Sequence, residues 1–237
     1  MSSDRRYLAL SFEGPIQSWG FDSQYNRRNT GLMPTKSAIA GMCCAALGYS
    51  RGSREEHVFL EKFGAIKMIA IAIPRKVGKK DLKVQRMQDF HTVQNTKRAS
   101  GALNADCVLT NRQYLTDASF GVLLEGDADF LREIASALAN PKWGIWLGRK
   151  TCIPSAPVLA GLKDNFDNFS GLVKEKRKDA LILLIGDKPL EYFTYQEEAE
   201  AFIDGIDTIN DTPVSFASEQ RLFSPRRVRT VHGKAKG

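Results

Sequence analysis

The chain has little of what marks an enzyme, a metalloprotein or a membrane protein. No apolar run approaches the roughly 18 residues that a membrane helix needs. The apolar stretch in "MSSDRRYLALSFEG" is short for a signal peptide and is flanked by Asp4 and Glu13. The cytoplasm is the expected compartment. Cysteine is limited to Cys43, Cys44, Cys107 and Cys152, with no CxxC pair and no zinc-finger spacing to His91 or His232. Small, buried, reduced thiols are expected, with no metal and no cofactor. The G-x-S-x-G, Walker A, HExxH and G-x-G-x-x-G patterns are all missing. Histidine is confined to His57, His91 and His232. Fixed-period repeats and low-complexity tracts are absent as well.

Against these absences stands a surplus of positive charge. The 237 residues carry a net charge of +7, with 43% apolar and 26% charged residues. That composition suits a soluble globular chain with a sizeable core and a polyanionic partner. Arg75, Lys76, Lys79, Lys80, Lys83, Arg86, Lys97, Arg98 and Arg112 crowd one segment, which holds only Asp81, Asp89 and Asp106 as anions. The tail repeats the bias with Arg221, Arg226, Arg227, Arg229, Lys234 and Lys236.

Periodicity divides the first part of the chain into alternating elements. "YLALSF" reads as a half-buried strand, and "GPIQSWG" follows it as a turn that carries Gln17 and Trp19 beyond what turn chemistry needs. "PTKSAIAGMCCAALG" reads as a helix, with Thr35 as N-cap and Gly48 as its stop. "AIKMIAIAIP" is a second strand, "ASFGVLLEG" a third and "WGIWLG" a fourth. "DADFLREIASALANP" is a second helix with an acidic first turn. Between the second and third strands, about 75–116 reads as a projecting β-hairpin. The expected fold class is α+β: a ferredoxin-like or RRM-like core with a long β-hairpin thumb insertion. The core spans 1–148. A small C-terminal appendage with a basic tail, 149–237, follows, with "DALILLIG" as a strand and "YQEEAEAFIDGI" as a short helix.

The chemistry legible in this pattern is nucleic-acid binding. Lys and Arg neutralise phosphates, while aromatics and amides stack on and read single-stranded bases. The hairpin mixes Arg86, Gln88, Phe90, His91, Gln94, Arg98, Arg112 and Tyr114. The helix start at Thr35, Lys36 and Ser37 offers free N–H groups to an anion. Two readings of His91 stay open: a general base taking a 2′-OH proton in RNA cleavage, or a hydrogen bond to a phosphate or base.

"GPIQSWG", "PTKSAIAG", "DFHTV", "RQYLTDASF" and "LGRKTCIPSAP", in this order over about residues 7–160, resemble the Cas-five family of CRISPR-associated proteins. The likeness is to its type I-E Cascade branch, the CasD subunits. The resemblance implies a modified RRM fold with a thumb and a non-catalytic role in antiviral defence. Such subunits bind the 5′ handle of the CRISPR RNA and cap the CasC backbone beside the large subunit CasA, meeting target DNA indirectly through the complex. It implies roles for Gln17, Trp19 and Gly20 in the first loop, where a plug of the core beneath the loop is the other reading of Trp19, and for Thr35, Lys36 and Ser37 at the helix start. On the thumb it implies Arg112 and Tyr114, and in "LGRK" Arg149 and Lys150. Arg27, Arg28, Arg86, His91 and Thr92 complete the RNA-binding set. Ala38 and the run Met42-Cys43-Cys44 depart from the family pattern, as packing changes. Type I-C relatives cut precursor RNA without metal, so the alternative is an endoribonuclease using His91, a nearby Lys and Tyr49.

Overall fold

A computed structural model describes residues 5–20, 22–23, 26–78, 80–82, 84–98, 100–162, 169–200 and 207–234. The chain opens with strand β1 (Arg5–Glu13), two short strands β2 (Ile16–Gln17) and β3 (Arg27–Arg28), and helices α1 (Lys36–Leu47) and α2 (Arg54–Gly64). Strand β4 (Lys67–Ala72) follows, then a small pair β5 (Arg75–Val77) and β6 (Lys80–Leu82), and a long hairpin β7 (Gln85–Val93) and β8 (Val108–Thr116). Next come β9 (Ser119–Asp127), α3 (Ala128–Ala139), β10 (Val173–Lys174), α4 (Arg177–Ile185), β11 (Thr194–Glu198), β12 (Asp207–Ser215) and β13 (Leu222–Val231). The result is a mixed α+β architecture with mainly antiparallel sheets.

The main sheet has the order β10-β1-β9-β4-β11-β13-β12, and every pairing in it is antiparallel. The period of two sends alternate side chains to opposite faces. Leu8, Leu10 and Phe12 of β1 join Met68, Phe120, Val122 and Leu124 beneath α1, α2 and α3. Ala9, Leu123 and Ile69 face the other way, onto Ala180 of α4. Both faces of the central strands are therefore covered, which is why "AIKMIAIAIP" is apolar at nearly every position.

Local signals fix the helix ends. Thr35 Oγ1 accepts from Ala38 N at 3.3 Å, and Gly48 closes α1 with φ +75°. Ser53 and Asp127 cap α2 and α3 in the same way.

Three expected elements differ. "WGIWLG" is irregular chain: Lys142 N and Trp143 N donate to the Ala46 and Ala45 carbonyls at the end of α1, which holds the segment off the sheet. The place beside β1 is taken by β10 instead, with Tyr7 opposite Lys174. "DALILLIG" is helix α4, because a continuous apolar run suits either a buried strand or a helix, and Leu-rich chain favours the helix. The start of "YQEEAEAFIDGI" is β11, between β4 and β13, while 201–206 lie outside the described residues. The boundary expected at 148/149 does not divide the sheet, since β10, β11, β12 and β13 all belong to the one that holds β1.

Candidate nucleic-acid interface

The opening loop is built inward. Gln17 and Trp19 are completely buried. The Gln17 Nε2 donates to the carbonyls of Phe12 (3.1 Å) and Ala118 (2.7 Å), and its Oε1 accepts from Trp19 Nε1 at 3.2 Å. The Trp19 ring sits 5.5 Å from Phe12 and 6.4 Å, edge-on, from Phe120. Both side chains are closed off from the surface and bonded internally, so both act as supports of the loop. Gly20 alone of this trio is exposed.

The helix start is likewise occupied from within. Lys36 is 1% exposed, its Nζ 2.5 Å from the Ile66 carbonyl and 3.0 Å from Glu198. Burial holds its ammonium below the usual 10.5, and Glu198 opposes that shift. Lys36 N donates to Asp211 Oδ2 at 2.8 Å, so the expected anion site at this N–H is filled by the protein's own carboxylate. Thr35 is buried in its capping role. Lys36 is thereby corrected from a phosphate contact to a buried ion-pair partner.

Ser37, by contrast, opens onto a groove of about 510 Å³. Its floor is α1, at Ser37, Ala38, Gly41 and Ala45. One wall is the loop Trp143–Lys150, another is the β12–β13 turn with Phe216, Arg221 and Phe223, and Gly20 and Arg28 close the far end. Arg28, Arg51, Arg149, Lys150 and Arg221 thus surround Trp143, Trp146, Phe216 and Phe223. Trp143 is 46% exposed, and the Lys150 Nζ stands 5.7 Å above the Trp146 ring. Cationic heads interleaved with aromatic faces can hold phosphates and stacked bases together.

Arg149 joins the groove to the hairpin. Its guanidinium donates to the carbonyls of Gln113 (2.8 Å) and Arg28 (2.6 Å) and lies 4.7 Å over the Tyr114 ring. The turn that presents it requires Gly148: φ is +99°, and a Cβ there would stand 1.8 Å from the Ser18 carbonyl oxygen.

Register then sorts the hairpin residues. Directly opposed residues share a face, so His91 (opposite Thr110), Arg112 (opposite Asp89) and Tyr114 (opposite Met87) lie together. Arg28, paired with Arg112, joins them. Arg86, Thr92 and Arg27 fall on the reverse face. His91 Nε2 is 2.7 Å from Asp89 Oδ2. Tyr49 lines the groove, its hydroxyl 3.5 Å from Glu133, with burial first and Glu133 second raising its pKa. His91 does not line the groove. Among the described residues no cluster of His, Cys, Asp and Glu could hold a metal ion, and no helix is long and apolar enough to cross a membrane.

Sequence reasoning missed Trp143, Trp146, Phe216, Phe223 and Arg51, and marked Arg221 only as one cation of the basic tail. A signal for the first two exists: two of the three tryptophans fall three positions apart among glycines and just before Arg149-Lys150. Phe216 and Phe223 carry no such mark, because only the β12–β13 pairing brings their turn to α1.

Comparisons with known proteins place the chain by sequence and by fold. The chain is 29% identical over 162 residues to the CRISPR system Cascade subunit CasD of Escherichia coli (strain K12), covering 66% of this chain and 71% of that one. A solved chain of a CRISPR RNA-guided surveillance complex superposes with a TM-score of 0.71 at 26% identity, over 95% of this chain and 89% of that one. A crystal structure of a Cas protein superposes at 0.63 with 30% identity, over 94% and 93% of the two chains. The model of the CRISPR-associated protein (Cas_Cas5) family matches residues 7–229, from β1 into β13, beyond the 7–160 over which the motifs were legible. The chain belongs to that family of CRISPR-associated proteins.

Proposed function

We propose that this protein is an RNA-binding, complex-building subunit of a type I-E Cascade surveillance complex and holds the 5′ handle of the CRISPR RNA. The observation that carries this is the groove over α1, where Arg28, Arg51, Arg149, Lys150 and Arg221 frame the rings of Trp143, Trp146, Phe216 and Phe223. Such a surface suits an unpaired polyanion whose bases can stack. The Cas_Cas5 match and the likeness to CasD and to an RNA-guided surveillance complex support the assignment. In this reading the protein caps a backbone of CasC subunits next to CasA and meets target DNA only through the assembled complex.

The order β10-β1-β9-β4, with α1 and α3 on one face, supports a ferredoxin-like core in which β10 is the fourth strand. The β7–β8 hairpin is then its thumb. His91 and Arg112 extend the groove along one thumb face, with Arg149 at the junction over the ring of Tyr114, which is buried and so supports the surface from beneath. The endoribonuclease alternative needs His91 and Tyr49 to act on one phosphodiester. Tyr49 lines the groove while His91, paired with Asp89, does not, so the geometry favours binding.

The test is binding of the purified protein to CRISPR RNA with an intact or scrambled 5′ handle, in EDTA. Handle-dependent binding that weakens steeply with salt, with the RNA left intact, is the expected result. Site-specific cleavage abolished by His91→Ala would replace this reading with the nuclease.

A further inference from the structure

One groove residue opposes its surroundings in charge. Glu56, in the first turn of α2, is 2% exposed and lines the groove beside Arg51, Gly41 and Phe216. Its Oε2 accepts from Gly52 N at 2.9 Å and from Phe216 N at 3.4 Å, and so ties the β12–β13 turn to the α1–α2 loop. Its Oε1 is buried and has no hydrogen-bond partner among the described residues. A buried carboxylate oxygen without a donor is unfavourable, and such an atom calls for a role. The Cys44 thiol beside it is pushed up to about 12, by burial first and by Glu56 second, and stays neutral.

We propose that Glu56 Oε1 reads the Watson–Crick edge of one unpaired RNA base in the groove, favouring bases that carry an amino group, guanine above all, over uracil. This rests on the reading of the groove as an RNA site. Guanine presents N1–H and N2–H₂ side by side, so two donors converge on one acceptor. Cytosine and adenine offer a single amino group. Uracil flanks its one N–H with two carbonyl oxygens, which a carboxylate repels. Phe216 is the gate and the stacking face: its ring is only half-buried and meets Phe223 edge-on at 6.3 Å, so it can turn aside and cover the base.

The chain is titrated with uridine oligonucleotides carrying a single guanosine, inosine, adenosine or cytidine. Guanosine is expected to bind roughly tenfold tighter than uridine at that position, and inosine, without the 2-amino group, in between. Glu56→Gln keeps an oxygen for Gly52 and Phe216 and puts an NH₂ where Oε1 stood, so the preference inverts towards uridine. A wild-type protein that binds these RNAs without base preference, or does not tell guanosine from inosine, overturns the proposal. So does a folded Glu56→Gln variant with unchanged preference. In each of these cases the groove stands as an RNA site. Failure of the wild type to bind any RNA removes the groove reading itself, and this inference with it.

Discussion

The backbone N–H of Lys36 donates to Asp211 Oδ2 at 2.8 Å, so a side chain from the C-terminal half caps the first turn of α1. Arg226 grips the same carboxylate through Nε (2.6 Å) and a terminal nitrogen (3.0 Å), and also approaches Glu198 at 3.5 Å. Glu198 returns to Lys36. The network binds β11, β12 and β13 to the helix that floors the groove. Asp211→Ala leaves Arg226 buried without its bidentate partner and the helix N–H without an acceptor. We expect a loss of about 3–5 kcal/mol and a melting point lower by roughly 10 °C. A thermal scan that moves by only a degree or two would show that the network is dispensable.

The same network sets an alkaline signature. Burial lowers the Lys36 pKa from 10.5, so between the lowered value and 10.5 the unfolded chain holds a proton that the folded chain does not. Stability therefore gains from Lys36 as pH rises through that window, and below it the lysine contributes a constant cost and no slope. Lys36→Met, which leaves Glu198 with Arg226, removes the gain. The difference between wild-type and variant unfolding free energies in urea is expected to grow with pH in that window, in favour of the wild type. Parallel curves there would contradict the burial of the ammonium.

Gln17 gives the sharpest reversal between sequence and structure. A loop rich in glycine, with an amide and a tryptophan, reads as a ligand loop. The amide instead satisfies two carbonyls and an indole N–H inside the core. Gln17→Ala strands three buried polar groups, each costing about 1–3 kcal/mol. Partial unfolding on urea titration is expected, with RNA affinity of the folded fraction unchanged. A variant of wild-type stability with weakened RNA binding would return Gln17 to the contact surface.

What was legible follows from the range of the interactions. Thr35, Gly48 and the acidic start of α3 are local signals, and the structure uses them as read. The alternation of β1 and the pairing of β7 with β8 were legible for the same reason. The misreadings are non-local. "DALILLIG" is equally apolar as strand or helix, and its packing on β1 and β9 decides the matter. "WGIWLG" looks like a strand until the end of α1 is seen to take the backbone N–H of Trp143, and the Cys152 carbonyl that of Leu147. At the site, surface charge was legible in Arg149 and Lys150, but burial was not: Lys36 has the same chemistry and points into the protein. Phe216 and Arg221 reach the groove through a sheet pairing that no short motif encodes.

The two faces of the hairpin make the last prediction. Lys150 and Arg221 line the groove, whereas Arg86 stands on the reverse face from Arg112 and Tyr114. Binding of single-stranded RNA releases counterions in proportion to the phosphates neutralised, at about 0.7 in the log–log salt slope per contact. Lys150→Ala and Arg221→Ala are each expected to lower the slope by about that amount, and Arg86→Ala to leave it unchanged. Arg149 behaves differently, because its fork also holds the Gln113 and Arg28 carbonyls while its plane stacks on Tyr114. Arg149→Lys keeps the charge but loses both the fork and the stack. It should preserve the slope yet raise the dissociation constant at every salt concentration, with faster amide exchange at Gln113 and Tyr114. If Arg86→Ala flattens the slope as much as Lys150→Ala does, the RNA runs along the other face of the hairpin and the path through the groove is wrong.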